Sequence, residues 1–161
     1  DCAFVHCTVA QFYPFTATRG NALFLANNIN DQYRELRQAQ FINCVITGYG
    51  EDVIMGSISE GQDYTCPYLF SHCYLNTVVA KDTVRFSHII YDTDEQPLCR
   101  EKNFVLFDTD NFLYDFTPDS LSTIRSLADT TYSRLLPLDL RGKSRVEDDA
   151  PDAGCYEYVA P

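Results

Sequence analysis

The chain has 161 residues, of which 45% are hydrophobic and 14% aromatic, with eleven Phe and eleven Tyr but no Trp. This length suits one domain over residues 1–161 with a core of its own. Twelve Lys and Arg against 23 Asp and Glu give a formal net charge of -11, which repels nucleic acid phosphates and anionic membrane surfaces. We therefore expect neither nucleic acid binding nor membrane insertion.

In chain order, period-two alternation begins at residue 20 and ends near residue 116, and it predicts about eight short strands. Turn-forming residues separate these segments, for example around Gly48, Asp63, Asp82 and Pro97. Their spacing predicts consecutive hairpins. We find no internal repeat, and the pattern favours either a closed antiparallel barrel or a sandwich.

A different rhythm follows the strands. Thr117 suits a helix N-cap and Pro118 the first helical position, and Leu121, Ile124 and Leu127 recur at helical spacing. The sequence therefore predicts a helix over about 118–132. The polar, proline-containing segment 133–161 is predicted to be an extended tail.

Seven cysteines are present, without a CxxC pair. Their number, together with the absence of an apolar run long enough to cross a membrane, predicts a secreted, extracellular protein. The chain begins without a basic segment and long apolar stretch, as expected of a mature secreted product. Because seven is odd, one thiol either stays free and buried or pairs outside the chain.

Three segments resemble the lipocalin family, and most closely its arthropod bilin-binding and carotenoid-binding branch. They are TRGNALFLANN, FINCVITGYGEDVIMGSIS and VLFDTDNFLY, although Ala22 stands where the family has Trp. The resemblance covers most of the chain. It implies an eight-stranded antiparallel up-and-down β-barrel over about 20–116, followed by the C-terminal helix and the tail.

The resemblance also implies a disulfide between Cys44 and Cys155, which would tether the tail to the barrel. The family's second bridge has no counterpart here, because no cysteine follows the eighth strand. The partners of the remaining cysteines stay open; these are Cys2, Cys7, Cys66, Cys73 and Cys99.

If Cys44 points outward to meet the tail, alternation aims its neighbours into the barrel. The expected ligand-binding residues are Phe41, Asn43, Val45, Thr47 and Tyr49 from one strand, with Phe86, His88 and Ile90 from another. This lining suits a small, mostly hydrophobic ligand that carries a few oxygens. His88 could instead be a structural histidine bonded to backbone. His6 and His72 lack the spacing of a zinc site, so no metal site is expected.

The sequence contains no G-x-S-x-G, HExxH or phosphate-binding glycine motif, and we expect no enzymatic activity. The first interpretation is a carrier of a small hydrophobic ligand, with a carotenoid or bilin chromophore as its specific form. The second is a secreted protein-interaction module or inhibitor. A haem-binding barrel, with His88 as the iron ligand, is the third. Homo- or hetero-oligomers are compatible with all three.

Overall fold

The computed structural model describes residues 1–12, 15, 20–49, 56, 58–59, 66–93, 98 and 100–160. The strands are β1 (Cys2–Val5), β2 (Thr8–Gln11), β3 (Asn28–Ile29), β4 (Gln32–Tyr33), β5 (Ala39–Ile42), β6 (Val45–Gly48), β7 (Tyr68–Ser71), β8 (Tyr74–Leu75), β9 (Phe86–Ser87), β10 (Ile90–Tyr91), β11 (Phe104–Asp108) and β12 (Leu113–Pro118). A 3-10 helix spans Arg100–Asn103, and the helix α1 spans Thr130–Leu135.

Two parallel sheets form the body of the structure. The first has the order β1-β5-β7-β9 and the second the order β10-β8-β6-β2. Consecutive strands therefore alternate between the sheets, and each strand–corner–strand unit stacks on the unit before it. We call these units rungs 1 to 4, over residues 2–11, 39–48, 68–75 and 86–91. Their stacking makes a short β-solenoid.

Each rung turns between the two sheets at a residue with a positive φ. These corner residues are His6, Asn43, His72 and His88, with φ of 52°, 55°, 53° and 54°. Asn and His are among the non-glycine side chains that enter this left-handed region most readily. The corner changes the direction of the chain, so period-two alternation does not continue through it.

Like residues stack in columns inside the solenoid. The rings of Phe4, Phe41, Phe70 and Phe86 lie one above another, with centroids 5.0, 4.7 and 4.9 Å apart and tilts of at most 7°. Directly after the corners of rungs 2 and 3, Cys44 and Cys73 belong to the buried cluster that also contains Phe41, Phe70 and Phe86. Cys7, after the corner of rung 1, packs against this cluster. Offset aromatic stacking adds about 1 kcal/mol per pair to the burial of the rings.

The predicted antiparallel up-and-down barrel is wrong. All rung-to-rung pairing is parallel, and the two sheets do not close into a barrel. Antiparallel pairing among the described residues is confined to β3–β4, β11–β12 and one isolated bridge. Alternation alone does not distinguish the two kinds of sheet, because side chains alternate in both.

The predicted helix over 118–132 is also wrong, since Pro118 ends β12 and the helix begins only at Thr130. Several backbone donors of the intervening segment bond to residues distant in sequence; the Thr123 N–H, for example, donates to Asn103 Oδ1 at 2.9 Å. The Asp129 side chain accepts from the N–H groups of Thr131 and Tyr132. Asp129 is thus the N-cap that decides where the helix begins.

The predicted disulfide between Cys44 and Cys155 is absent, and both thiols are free. Cys44 lies inside the solenoid, 1% exposed, whereas the Cys155 N–H donates to Thr8 Oγ1 at 3.1 Å. Cys2, Cys7 and Cys73 are also free. Cys66 lies just before β7, and Cys99 lies outside the described residues.

The tail is folded against rungs 1 and 2. The N–H of Gly154 donates to the Asn43 carbonyl at 2.8 Å. A Cβ on Gly154 would lie 2.7 Å from Thr8 Oγ1 and 3.1 Å from Val45 Cγ2, and its φ is +95°. Only glycine allows the tail to approach this closely. The tail and the β11–β12 hairpin cover a second buried cluster that includes Val45 and Tyr74.

Candidate functional site at the open end of the solenoid

The outer edges of β1 and β2 are the end of the stack. Among the described strands, none pairs with either edge. The Cys2 N–H donates to Gln38 and the His6 N–H to Ile42, both toward β5. Because backbone groups alternate in direction along a strand, Ala3 and Val5 direct their N–H and C=O groups away from the solenoid.

The same geometry holds in β2. The Val45 N–H donates to the Cys7 carbonyl, and Thr8 pairs in register with Val45. Thr8 and Ala10 therefore present their backbone groups outward. The open end carries two rows of donors and acceptors, which meet at the His6 corner.

The aromatic column is uncovered at this end only. Phe4 is 40% exposed, whereas Phe70 is 0% and Phe86, at the opposite end, 8% exposed. The two ends of the solenoid are thus different surfaces. One is covered, while the other leaves a ring face exposed and, among the described strands, two edges unpaired.

The two edge strands carry neither a charge nor a proline. β1 reads CAFV and β2 reads TVAQ. Edge strands of proteins that avoid association usually carry Lys, Pro or a bulge. An exposed group of charges lies beside β1, where Arg37 Nε is 3.9 Å from Asp1 and 3.7 Å from Glu35.

An aromatic cleft of about 350 Å³ continues from the end of β2. It is lined by Ala10, Gln11, Phe12, Phe15, Phe112, Tyr114 and Phe116. Phe15 and Phe112 contact each other at 5.1 Å between centroids and are both more than half exposed. The open edge and this cleft together form one largely apolar surface.

Cys7, Cys44 and Cys73 directly follow the corners of rungs 1 to 3, and we call them the thiol column. Cys7 and Cys44 are poorly suited to nucleophilic chemistry. The hydrogen bond with Cys44, followed by burial, raises the pKa of Cys7. The pKa of Cys44 rises to about 12: its hydrogen bond with Cys7 favours the thiolate, but the hydrogen bond with Cys73 and burial outweigh it. Both thiols therefore stay protonated at neutral pH, and the column acts as packing.

The tail contains a buried charge network. Arg145 Nη1 donates to Glu157 Oε1 at 2.6 Å, and both side chains are under 10% exposed. Burial raises the pKa of Glu157 to about 7 and also raises the pKa of Asp152. Both carboxylates accept hydrogen bonds from backbone N–H groups. Those of Ser126 and Tyr158 donate to the Asp152 side chain, and that of Asp152 donates to the Glu157 side chain. The arrangement holds the tail in place.

The corner histidines differ in their surroundings. His6 is 6% exposed, and its Nε2 lies 2.9 Å from Ser133 Oγ and 3.0 Å from Asn43 Nδ2. Burial, followed by the charge of Arg145, lowers the pKa of His6 to about 4. His72 and His88 stack with centroids 4.3 Å apart, and burial, then the neighbouring His88, lowers the pKa of His72.

The structure does not bring the eight predicted ligand-binding residues to one cavity. Phe41 and Phe86 belong to the aromatic column, Asn43 and His88 are corners, and Thr47 is buried in β6. Val45, Tyr49 and Ile90 belong to the cluster beneath the tail and hairpin. The corner at Asn43 breaks the alternation on which the prediction depends. The ligand-binding role itself stays a prediction.

The sequence does contain a signal for the rungs. FVHC, FINC, FSHC and FSHI each place an aromatic residue three positions before a cysteine or isoleucine, with His or Asn directly before that last residue. The four copies are separated by connections of unequal length, so a search for a fixed period does not detect them. Aligned, they predict the aromatic column, the corners and the parallel register together.

No family model, curated protein or solved structure matches this chain. In the part of the chain that the structure describes, no helix has the length and apolar character needed to span a membrane. The described residues likewise contain no group of three or more His, Cys, Asp or Glu side chains arranged to hold a metal ion.

Proposed function

We propose that this protein is an interaction module that binds a protein partner by β-strand pairing at the open end of its solenoid. The observation that carries the proposal is the pair of uncharged edge strands, β1 and β2, beside the exposed ring of Phe4. Main-chain hydrogen bonds to such an edge provide affinity, and adjacent side-chain pockets provide specificity.

The carrier function depends on a closed barrel around a ligand cavity, and the carotenoid or bilin chromophore depends on the same cavity. The barrel is absent, and rings and thiols stack in the space between the two sheets of the solenoid. We therefore develop the second interpretation from the sequence, the interaction module. Because β1 and β2 contain no charged residue, these two strands do not themselves repel an acidic partner.

A titration with a strand peptide tests this proposal. The probe is the synthetic peptide AQFINCVITG, which has the sequence of residues 39–48. The measurement is the amide NMR spectrum of the isotope-labelled 161-residue chain. We expect shifts at Ala3, Val5, Thr8 and Ala10. Shifts confined to another surface, or no shifts at millimolar peptide, would contradict strand pairing at this end.

Two lysine variants provide the matched comparison. Phe4→Lys places a charge on the open end, and we expect it to weaken peptide binding by at least about tenfold. Leu121→Lys changes a side chain that is 89% exposed and lies outside both edge strands, so binding should be unchanged. Equal affinities for the two variants would rule out the open end as the binding surface. Circular dichroism checks that both variants remain folded.

A further inference from the structure

We infer that the open end recognises a parallel solenoid rung, a strand–corner–strand segment that presents an aromatic residue to Phe4, a left-handed corner to His6 and a thiol or aliphatic side chain to Cys7. This inference rests on the proposed function, and it names the partner of the same surface. The reason is that the same interface is already formed three times within the chain, between rungs 1 and 2, 2 and 3, and 3 and 4.

Both edges of the open end must be satisfied together. The outward backbone groups lie on β1 and on β2, which are separated by the corner at His6 and by Cys7. A straight strand can pair with one edge only. An occupant that pairs with both must turn where this chain turns, and His, Asn or Gly meets that requirement at low cost.

The columns fix the direction of the occupant. In every rung the aromatic residue precedes the corner, and the cysteine or isoleucine follows it. A parallel rung therefore places a ring on Phe4 and a small apolar side chain on Cys7 at once. An antiparallel rung reverses this order and places its aromatic ring over the thiol column. The rungs of this chain have smaller side chains than phenylalanine at that position, so the ring does not match its neighbours there.

The exposed ring of Phe4 favours a partner with an aromatic side chain at the position that continues the aromatic column. Phe4 already stacks on Phe41 at 5.0 Å with a tilt of 3°, and its outer face is the exposed one. A second ring at the same distance would bury that face as Phe41 is buried, at 3% exposure. Burying the exposed part of this phenylalanine and adding a stacked pair would both stabilise the bound rung.

A second copy of this chain fits the surface less well. Head-to-tail stacking would use the opposite end of the solenoid, where Phe86 is only 8% exposed. Stacking two open ends face to face would relate the rungs by a twofold axis and pair β1 with its counterpart in the antiparallel direction. Neither arrangement reproduces the parallel columns.

The chain itself supplies the test segment. Residues 68–82 contain rung 3 and most of the connection that leads to rung 4. Phe86 follows Phe70 by 86 − 70 = 16 residues and stacks on it, as Phe4 would stack on the ring of a new rung. Fusing a copy of residues 68–82 directly before Asp1 places Phe4 at the same spacing of 16 residues after the copied Phe70. The tether raises the effective concentration of the segment to about millimolar.

The matched control exchanges two residues within the fused copy, so that the copies of Phe70 and Cys73 change places. Composition, length and tether are identical, but the ring then faces Cys7 and the thiol faces Phe4. Amide hydrogen exchange of Ala3, Val5, Thr8 and Ala10 is measured in the unfused chain and in both fusions.

We expect the native-order fusion to slow exchange at these amides by at least about tenfold, and the exchanged-order fusion to leave them near the rates of the unfused chain. Equal protection in both fusions would overturn recognition of the rung pattern while leaving strand pairing intact. No protection in either fusion would overturn both proposals. Protection that grows with the concentration of the unfused chain would identify a second copy as the occupant, against this inference.

Discussion

Asn43 and Asp129 exchange two hydrogen bonds across 86 residues of chain. Asn43 Nδ2 donates to the Asp129 carbonyl at 3.1 Å, and the Asp129 N–H donates to Asn43 Oδ1 at 2.8 Å. One side chain therefore joins the corner of rung 2 to the residue that caps helix α1. The solenoid and the tail depend on each other through this contact.

Replacing Asn43 tests that dependence. Asn43 is 0% exposed. Asn43→Gly leaves the Asp129 N–H without its acceptor, whereas the Asp129 carbonyl keeps its bond from the Ser133 hydroxyl. Loss of the two hydrogen bonds of Asn43 should lower the free energy of unfolding by about 2–3 kcal/mol. Asn43→Ala should cost about 1 kcal/mol more, because alanine is strained at a φ of 55°. Urea denaturation measures both. Wild-type stability in Asn43→Gly would show that the two hydrogen bonds contribute little.

Protonation of His6 should destabilise the protein in acid. Its pKa is about 4 in the folded state because of burial, against about 6.5 in the unfolded chain. The unfolded chain therefore binds the proton more readily between these values. The stability contribution is complete above pH 6.5 and is lost as the pH falls toward 4, on the order of 3 kcal/mol in total.

His6→Asn isolates this contribution, since Asn already occupies the equivalent corner of rung 2. Its unfolding free energy should decline less between pH 6.5 and 4 than that of the wild type. His88→Asn is the comparison at an exposed corner with the same φ region. Because His88 stacks on His72 and lowers the pKa of His72, this variant shows how much of the pH profile comes from that pair of rings. If both variants follow the wild-type pH profile, His6 is not the group responsible.

The aromatic column should contribute unequally along its length. Phe70 has a ring on each side, at 4.7 and 4.9 Å, and is 0% exposed. Phe70→Ala should therefore cost about 3–5 kcal/mol. Phe4→Ala removes a ring that is stacked on one face only and should cost about 1–2 kcal/mol. Thermal denaturation of the two variants compares them directly, and equal losses would contradict the exposed position of Phe4.

The thiols should react according to burial. Cys2 is exposed, whereas Cys44 and Cys73 are buried, and the pKa of Cys44 is about 12. In a brief iodoacetamide treatment, Cys2 should be alkylated at least about a hundredfold faster than Cys44 or Cys73. Peptide mass spectrometry reports each site. A peptide containing Cys44 linked to Cys155, two mass units lighter than the reduced pair, would restore the disulfide.

Rung 2 shows which features the sequence predicts and which it does not. Alternation around Phe41 and Val45 correctly predicts strands on both sides, because a strand side chain must face either a core or its opposite surface. Asn43 lies between these strands in a left-handed conformation that it shares with the other three corners, and period-two alternation does not predict such a corner. Local pattern alone therefore assigns Cys44 to the wrong side.

The helix shows the same limit. Leu121, Ile124 and Leu127 have helical spacing, but the Ser122 hydroxyl and the Thr123 N–H both donate to Asn103. These bonds to a residue from another part of the chain compete with helical ones, and the helix forms only after Asp129. Tertiary hydrogen bonds decided its position, and helical periodicity does not predict them.

By itself, the sequence determines that this protein is acidic, rich in short strands and supplied with aromatic and thiol side chains at recurring positions. Composition and alternation establish these properties, because they depend on each residue and its near neighbours. The parallel stacking of the rungs, the free thiol of Cys44 and the open edge at β1 and β2 were decided by tertiary structure. Each depends on which distant segments pair, and pairing is set by the simultaneous packing of all four rungs and the tail.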